Sequence, residues 1–456
     1  MSVILIYTNF SLRFGRRQSI LWGDALVMVG GALQCSSYSV AQICVARVLA
    51  GFGIGMISAT VPTYMAETTI KVKERGPQVA IQCIYLIWGV AFAYWVDLGM
   101  TQVKGRYSQV SWRFPISLMS FFTLISFVCM LVLPDTPRWY YTKGRIEDGD
   151  RVLSMLYARP LEDPDVQQTK HEILEALRLE NHEGKILLSD WIWDRSPIQS
   201  ARRIKTSFML LALHQFMGIN IVVYYSTVIL GQVGLDPLMQ STIAGVANTI
   251  FCLGTVATYF TIERWGRRPL MLWTAIGCGI SILIYIIMNA LPHKTRATQW
   301  TAIVMVMVFE FLTGWGWMGP PWLYGPEIAP LRYRHLAGAA GILGEWSCCF
   351  IIVLGGGTAI GKVGWPIWWW PFATCVITVA YTYYWCPETA GLSLEEIDKV
   401  FIDDAKRWIG PKVREGDAEY VEAYRTQMDE GRRRSSVGMS KGEDYYTSHV
   451  ETFEKV

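Results

Sequence analysis

The stretch Arg13-Phe14-Gly15-Arg16-Arg17 returns later in the chain as Arg264-Trp265-Gly266-Arg267-Arg268. Each copy opens the same procession. After the first come four long apolar segments, which contain Pro62-Thr63-Tyr64-Met65-Ala66-Glu67 and close on Pro134-Asp135-Thr136. After the second come four more, which contain Pro321-Trp322-Leu323-Tyr324-Gly325-Pro326-Glu327 and close on Pro387-Glu388-Thr389. A repeat this long means a duplicated half, not a solenoid of short units. The copies differ in what precedes them. Two long apolar segments stand before the second, and only the short, mostly apolar stretch Met1–Phe10 before the first.

The apolar residues lie in blocks. Of 456 residues, 52% are hydrophobic and only 17% charged, against about 25% charged in a soluble domain. Ten segments are long and apolar enough to cross a bilayer as helices. They are Ile20–Ser39, Ile43–Tyr64, Val79–Leu98, Phe114–Leu133, Phe208–Leu230, Ile243–Ile262, Leu270–Leu291, Ala302–Ile328, Ala337–Ala359 and Trp365–Trp385. A soluble helical core would carry an amphipathic period, which is missing. A closed barrel would carry alternation, which is also missing.

If successive segments alternate in direction, the short basic loops Arg13–Arg17, Lys71–Arg75, Arg264–Arg268 and Arg332–Arg334 fall on one side. The charged stretch Asp135–Lys205 and the C-terminal tail fall there too. Lys and Arg accumulate on the cytoplasmic side, so both termini are expected in the cytoplasm. The ten cysteines are scattered without a C-x-x-C pair, which points to neither a disulfide framework nor a metal site. No nucleophile with a base, phosphate loop or metal cluster suggests an enzyme.

Several polar residues sit inside the spans, where they are costly and usually partnered. Asp24 lies one turn inside the first, within reach of the interface or a neighbouring Arg. Arg47 lies just inside the second, ahead of Gly51, Gly53 and Gly55. The Gly51-x-x-x-Gly55 spacing is expected to let another helix approach closely. The span from Phe208 is the most polar, with His214, Gln215, Asn220, Tyr224 and Tyr225. On a regular helix Gln215 and Asn220 lie about 140° apart, so one face holds both only if Gly218 loosens the turn. Glu310 and Asn248 stand in later spans. Gly314, Gly316, Gly319, Pro320 and Pro321 fall inside one span and predict a broken helix, a feature of solute sites. Trp315 and Trp322 beside it suit stacking on the apolar face of a sugar ring.

Taken in order, these motifs resemble the sugar porter family of the major facilitator superfamily, fungal hexose and monosaccharide transporters above all. The resemblance runs from about Arg13 to Val400. It rests on the two G-R-R loops, Arg47-x-x-x-Gly51-x-Gly53-x-Gly55, Pro62-x-Tyr64-x-x-Glu67, Pro134-Asp135-Thr136-Pro137-Arg138, Gln215-x-x-Gly218-x-Asn220-x-x-x-Tyr224-Tyr225, Pro321-Trp322 and Pro387-Glu388-Thr389. It implies an all-α membrane protein of two pseudo-symmetric six-helix bundles that carries a monosaccharide by alternating access. Sugar:proton symport is implied for a full-length chain. The family's sugar ligands fall on Gln82, Gln215, Asn220, Asn248 and Trp322. Its charge network, implied to lock the two halves at their inner ends, falls on Arg16, Arg17, Glu67, Arg75, Asp135 and Arg138. In the second half it falls on Glu263, Arg267, Arg268, Glu327 and Glu388. The alternatives are a non-transporting sugar sensor and a carrier of polyols or quinate-like acids.

The chain departs from the family's pattern at three places: His214 and Cys83 stand where an amide is frequent, and Glu345 where Asn is common. Glu345 and Arg47 are the candidates for proton coupling. The family's acid partner of Arg47 belongs to the first helix of the half. That helix is missing from the sequence given and the second is a stub, so we expect an N-terminally truncated chain that transports poorly by itself. The expected divisions are an incomplete N-terminal bundle (1–133), a cytoplasmic helical linker (134–207), a six-helix bundle (208–390) and a mostly disordered cytoplasmic tail (391–456). Ten complete membrane helices are expected. The expected partners are a small sugar, the lipid bilayer and, for a symporter, protons. No metal, cofactor or nucleic acid is implied. The expected setting is a monomer in the plasma membrane.

Overall fold

The computed structural model describes residues 14–69, 75–101, 109–182 and 199–390, except 233, 294, 331 and 332, together with 397, 400 and 401. The stub at Met1–Phe10 and most of the expected tail lie outside these residues. No strand occurs among the described residues. In the first half, α1 (Arg16–Cys35), α2 (Val40–Thr68), α3 (Arg75–Thr101) and α4 (Gln109–Val132) are long. The short α5 (Pro137–Thr142), α6 (Ile146–Tyr157) and α7 (Pro164–His182) follow. The second half holds α8 (Ser200–Phe216), α9 (Ile219–Gln232), α10 (Pro237–Trp265), α11 (Arg267–Ala290), α12 (Arg296–Gly316), α13 (Pro320–Ile328), α14 (Arg334–Val363) and α15 (Trp369–Trp385).

Among the described residues eight helices, counting α8 with α9 and α12 with α13 as one each, are long and apolar enough to cross a membrane. The other two expected places are taken by α1 and α15. Charge and amides at Arg16, Arg17, Asp24 and Gln34 make α1 too polar to qualify alone, and α15 is short at 17 residues. Local sequence explains where the helices start. Ser39 caps α2 by accepting from Gln42 N at 3.3 Å, and Thr295 with Thr298 forms a reciprocal capping box on α12. Such caps satisfy amide donors that have no partner within the helix. Proline opens α10 and α13, where its missing N–H costs nothing.

By compactness the described chain falls into a unit of residues 1–186 with 203–392 and a second of 187–202 with 393–456. In the second, Gln199 donates to the Phe401 carbonyl at 2.9 Å, and the Arg202 guanidinium lies over the Phe401 ring. In the first unit, α1 packs on α2 and α4 in one half; α11 packs on α12 and α15, and α10 on α12, in the other. The halves meet along α3 and α10, with smaller contacts of α2 with α14 and α3 with α13.

Gly51 and Gly55 have no neighbour within 4 Å at the position a Cβ would take, so the expected close approach there is not made. Gly53 makes it instead. A Cβ on Gly53 would come within 2.5 Å of the Gly23 carbonyl on α1. Helical spacing identified a small-residue face, and the face that meets α1 is the one between those two glycines. Asp24 is buried on α1 and accepts from the Ser126 hydroxyl of α4 at 2.9 Å, not from an arginine.

Candidate functional site

Two breaks in the helices create the site. Between α8 and α9, Gly218 adopts φ +96°, a conformation that side chains resist. The break turns Asn220 back toward the end of α8, and its Nδ2 donates to Gln215 Oε1. The 140° conflict in the sequence is resolved there. Between α12 and α13, the backbone of Trp317, Met318 and Gly319 leaves the helix before Pro320 restarts it.

A row of polar side chains lies beside the first break. Gln215 Nε2 donates to Glu345 Oε1 of α14 at 2.5 Å, and His214 Nδ1 stands 3.4 Å from Glu345 Oε2. Asn220 Nδ2 also lies 3.0 Å from the Cys349 sulfur, one turn along α14. His214, Gln215 and Glu345 are buried. Low dielectric makes such a network strong when satisfied and costly when not. His214 Nε2 and the Trp322 indole N–H are among the buried groups without a hydrogen-bond partner in the described residues. Across the second break, Cys83 of α3 reaches the Met318 carbonyl at 3.4 Å. The sulfur where the family pattern has an amide therefore contacts the break itself, with half-buried Gln82 next to it.

The remaining sequence candidates separate. Asn248 is wholly buried and donates to Ala244 O of its own helix at 2.9 Å, outside the Gln215–Asn220 row. Trp315 donates to Thr261 Oγ1 at 2.8 Å and packs 5.2 Å from Trp265, so it belongs to the basic-loop end and not to the row. Arg47 is exposed on α2, and no hydrogen bond or ion pair links it to the described residues. Sequence reading did not single out Cys349 or the Cys83–Met318 contact, which carry no motif.

The repeated loops form two clamps that match nearly group for group. In the first half, Asp135 accepts from the backbone N–H of Arg16 and Arg17 at 3.2 Å each and of Thr136 at 2.8 Å. Glu67 accepts from Arg16 Nη2 at 2.8 Å and from the Thr136 hydroxyl at 2.6 Å. Tyr64 donates to Pro134 O at 2.9 Å, and Arg17 donates to Met130 O and Leu131 O. In the second half, Glu388 accepts from Arg267 N at 3.0 Å and Arg268 N at 2.9 Å. Glu327 accepts from Arg267 Nη2 at 3.0 Å and from the Thr389 hydroxyl at 2.9 Å. Tyr324 donates to Pro387 O at 2.7 Å, Arg268 to Tyr383 O at 2.7 Å, and Glu263 adds a second carboxylate to Arg267.

Each clamp needs its glycine. Gly15 (φ +101°) and Gly266 (φ +87°) let the acid approach the N-terminus of the following helix, where exposed N–H groups and the helix dipole favour an anion. Burial pushes the Asp135 carboxyl above the ordinary range. The backbone N–H groups of Thr136, Arg17 and Arg16, and the Arg16 charge, oppose that shift. The described pairs tie elements within one half. The expected lock between the two halves is not among these pairs. Arg138, in the first turn of α5, is itself engaged, and the Arg75 side chain lies outside the described residues.

Comparison with known proteins agrees with this architecture. A family model described as "Sugar (and other) transporter" matches residues 4–401. The yeast Saccharomyces cerevisiae "Sugar transporter STL1" is 30% identical over 394 residues, covering 85% of this chain and 68% of that protein. The "High glucose sensor RGT2" of the same yeast is 29% identical over 407 residues, 87% of this chain and 52% of that protein. Among solved structures, the proton:xylose symporter XylE, from E. coli, is similar with a TM-score of 0.72 at 21% identity over 88% of each chain. On the extent of that family match, the two clamped halves and the broken helices between them, this multi-pass membrane protein belongs to the sugar transporter family of the major facilitator superfamily.

Proposed function

We propose that the protein carries a monosaccharide across the plasma membrane by alternating access, binding it at the row His214–Glu345–Gln215–Asn220 between the two helix breaks. The observation that carries this is the row itself: buried amides and a carboxylate bonded to each other beside irregular backbone. Irregular backbone inside a membrane is tolerated where it faces protein or a polar cavity. Sugar hydroxyls both donate and accept, so they can take over the Gln215 and Asn220 hydrogen bonds one for one. The exchange is nearly even in free energy, since each such bond nets about 1 kcal/mol. Such modest binding suits a carrier that must release its cargo. The unpaired Trp322 N–H and the half-buried Gln82 supply further contacts. Glu345 and Arg47 are the candidates for proton coupling, Glu345 as the titrating group and Arg47, which keeps its proton, as a fixed charge beside the path, and a monomer suffices.

The likeness to a glucose sensor supports a second reading, in which the same site detects sugar without moving it. Uptake of labelled hexoses, pentoses, polyols and quinate into cells lacking hexose carriers separates the two. Saturable, competed hexose uptake supports the carrier. Sugar-dependent signalling without uptake supports the sensor, and quinate or polyol uptake alone overturns the sugar assignment.

A further inference from the structure

Glu310 takes no part in the row or the clamps. It lies on α12, wholly buried, and neither carboxyl oxygen has a partner among the described residues. The helices packed against α12 are α9, α10 and α11. Their charged groups, Glu263, Arg264, Arg267 and Arg268, lie at the basic-loop end, and Arg296 lies at the opposite end of α12 itself. The other titratable groups they carry are Tyr224 and Tyr225 on α9, Cys252 and Tyr259 on α10, and Cys278 and Tyr285 on α11. None of these is a cation. On the half that faces them, α3 carries Cys83, Tyr85, Tyr94 and Asp97. A carboxylate buried without a counter-charge is strongly disfavoured, and such a group takes up a proton instead.

A matching acceptor lies across the helix interface. Gly314 of α12 sits against Phe251 O and Thr255 N of α10. Consecutive spans alternate in direction, so α10 and α12 run parallel. Asn248 precedes Phe251 by three residues and Glu310 precedes Gly314 by four. At about 1.5 Å of rise per residue the two side chains are level to within about 1.5 Å. Both stand at the edge of the contact, Asn248 one turn before Phe251 and Glu310 one turn before Gly314. Asn248 is wholly buried too. Its Nδ2 is used by Ala244 O, and its Oδ1 has no partner among the described residues. One proton on Glu310 satisfies both orphaned groups, because a neutral carboxyl donates one hydrogen bond and an amide oxygen accepts it.

We propose that Glu310 is a proton-carrying residue, which holds a proton toward Asn248 Oδ1 in the conformation described and releases it to water when the surrounding helices part. The Glu310 O–H bond breaks, the proton passes to a water molecule, and the carboxylate left behind is hydrated. A small crevice of about 10 Å³, lined by Val222 and Ser226 of α9, Ala247 of α10 and Val306 and Met307 of α12, comes within one turn of Glu310. The Tyr94 hydroxyl of α3 donates to Val223 O of α9. Movement of the first half therefore pulls on a wall of that crevice. The proposal rests on the transport reading and adds a second acid to Glu345.

Two measurements on lipid-reconstituted protein test it separately. Infrared spectroscopy reads protonation without any transport. A neutral carboxyl band present at neutral pH in the wild type and lost in Glu310→Gln is expected; a spectrum unchanged by the substitution overturns the proposal. The second is solute movement. Glu310→Gln, which mimics the neutral form and preserves packing, is expected to keep solute counterflow. Its proton-driven accumulation should fall to an inside-to-outside ratio of about one, and its pH profile should flatten. Asn248→Ala should shift the pH midpoint of accumulation without abolishing it. Wild-type accumulation and pH dependence in Glu310→Gln would reduce Glu310 to a structural acid. Absence of counterflow in the wild type would instead refute transport and leave the infrared result to decide Glu310.

Discussion

Replacing Gly15 or Gly266 by alanine tests whether the repeated loops hold each half together. Gly15 has φ +101° and ψ 163°, and Gly266 φ +87° and ψ 168°. Side chains rarely enter this region, and a non-glycine residue there costs about 1–3 kcal/mol. The added Cβ also meets the clamp. At Gly15 it would lie 2.1 Å from Asp135 Oδ2, and at Gly266 2.7 Å from Glu388 Oε2. The acid must withdraw, and losing even one of its charge-assisted bonds adds about 1.5–3 kcal/mol. The sum is roughly 2.5–6 kcal/mol for either substitution. Gly51→Ala and Gly55→Ala are the controls, because nothing stands within 4 Å of their Cβ positions. A helix-interior alanine there should be neutral or stabilising by about 0.5–1 kcal/mol. Thermal unfolding in lipid nanodiscs, followed by tryptophan fluorescence, reads all four. Midpoints several degrees lower for Gly15→Ala and Gly266→Ala, and unchanged for the controls, are expected. Unaltered midpoints for both loop variants would refute the clamp as a source of stability.

Further outcomes follow from single contacts. Gly218→Ala should cost about 1–3 kcal/mol, since φ is +96° and the new Cβ meets Pro371 Cγ at 3.0 Å; unfolding midpoints measure it. Glu345→Ala leaves Gln215 and His214 without their shared acceptor, a penalty of about 1–3 kcal/mol. Solute affinity should fall, and Glu345→Gln should recover part of it, as competition binding would report. Gly53→Ala should weaken the α1–α2 contact and lower the midpoint, because its Cβ would press on Gly23 O and Val27.

The architecture was legible because long apolar runs have few folded alternatives and because the G-R-R motif recurs at matched places in two halves. The partners of that motif were not. Arg16 and Glu67 are 51 residues apart, and charge alone does not say whether an arginine serves its own half or the other. The small-residue face on α2 was legible, yet helical spacing does not choose between Gly51 and Gly53; the position of α1 does. Gln215 and Asn220 conflict on an ideal helix, and Gly218 was the clue that the helix breaks. Asn248 matched a pattern by residue type, and residue type did not show that its Nδ2 is taken up by Ala244 O of its own helix. Cys349 was hidden because a buried cysteine reads as an ordinary small apolar residue; Cys83 stood out as a departure, but its contact with Met318 is tertiary.

Uptake of labelled monosaccharide by cells lacking their own hexose carriers, comparing the wild-type protein with Asn220→Ala and Trp322→Ala at equal surface expression, tests the central claim most directly. Saturable uptake by the wild type, reduced at least about tenfold in both variants, a loss of about 1.4 kcal/mol or more, is the predicted result. Unchanged uptake kinetics in both variants would contradict the placement of the solute between the two helix breaks.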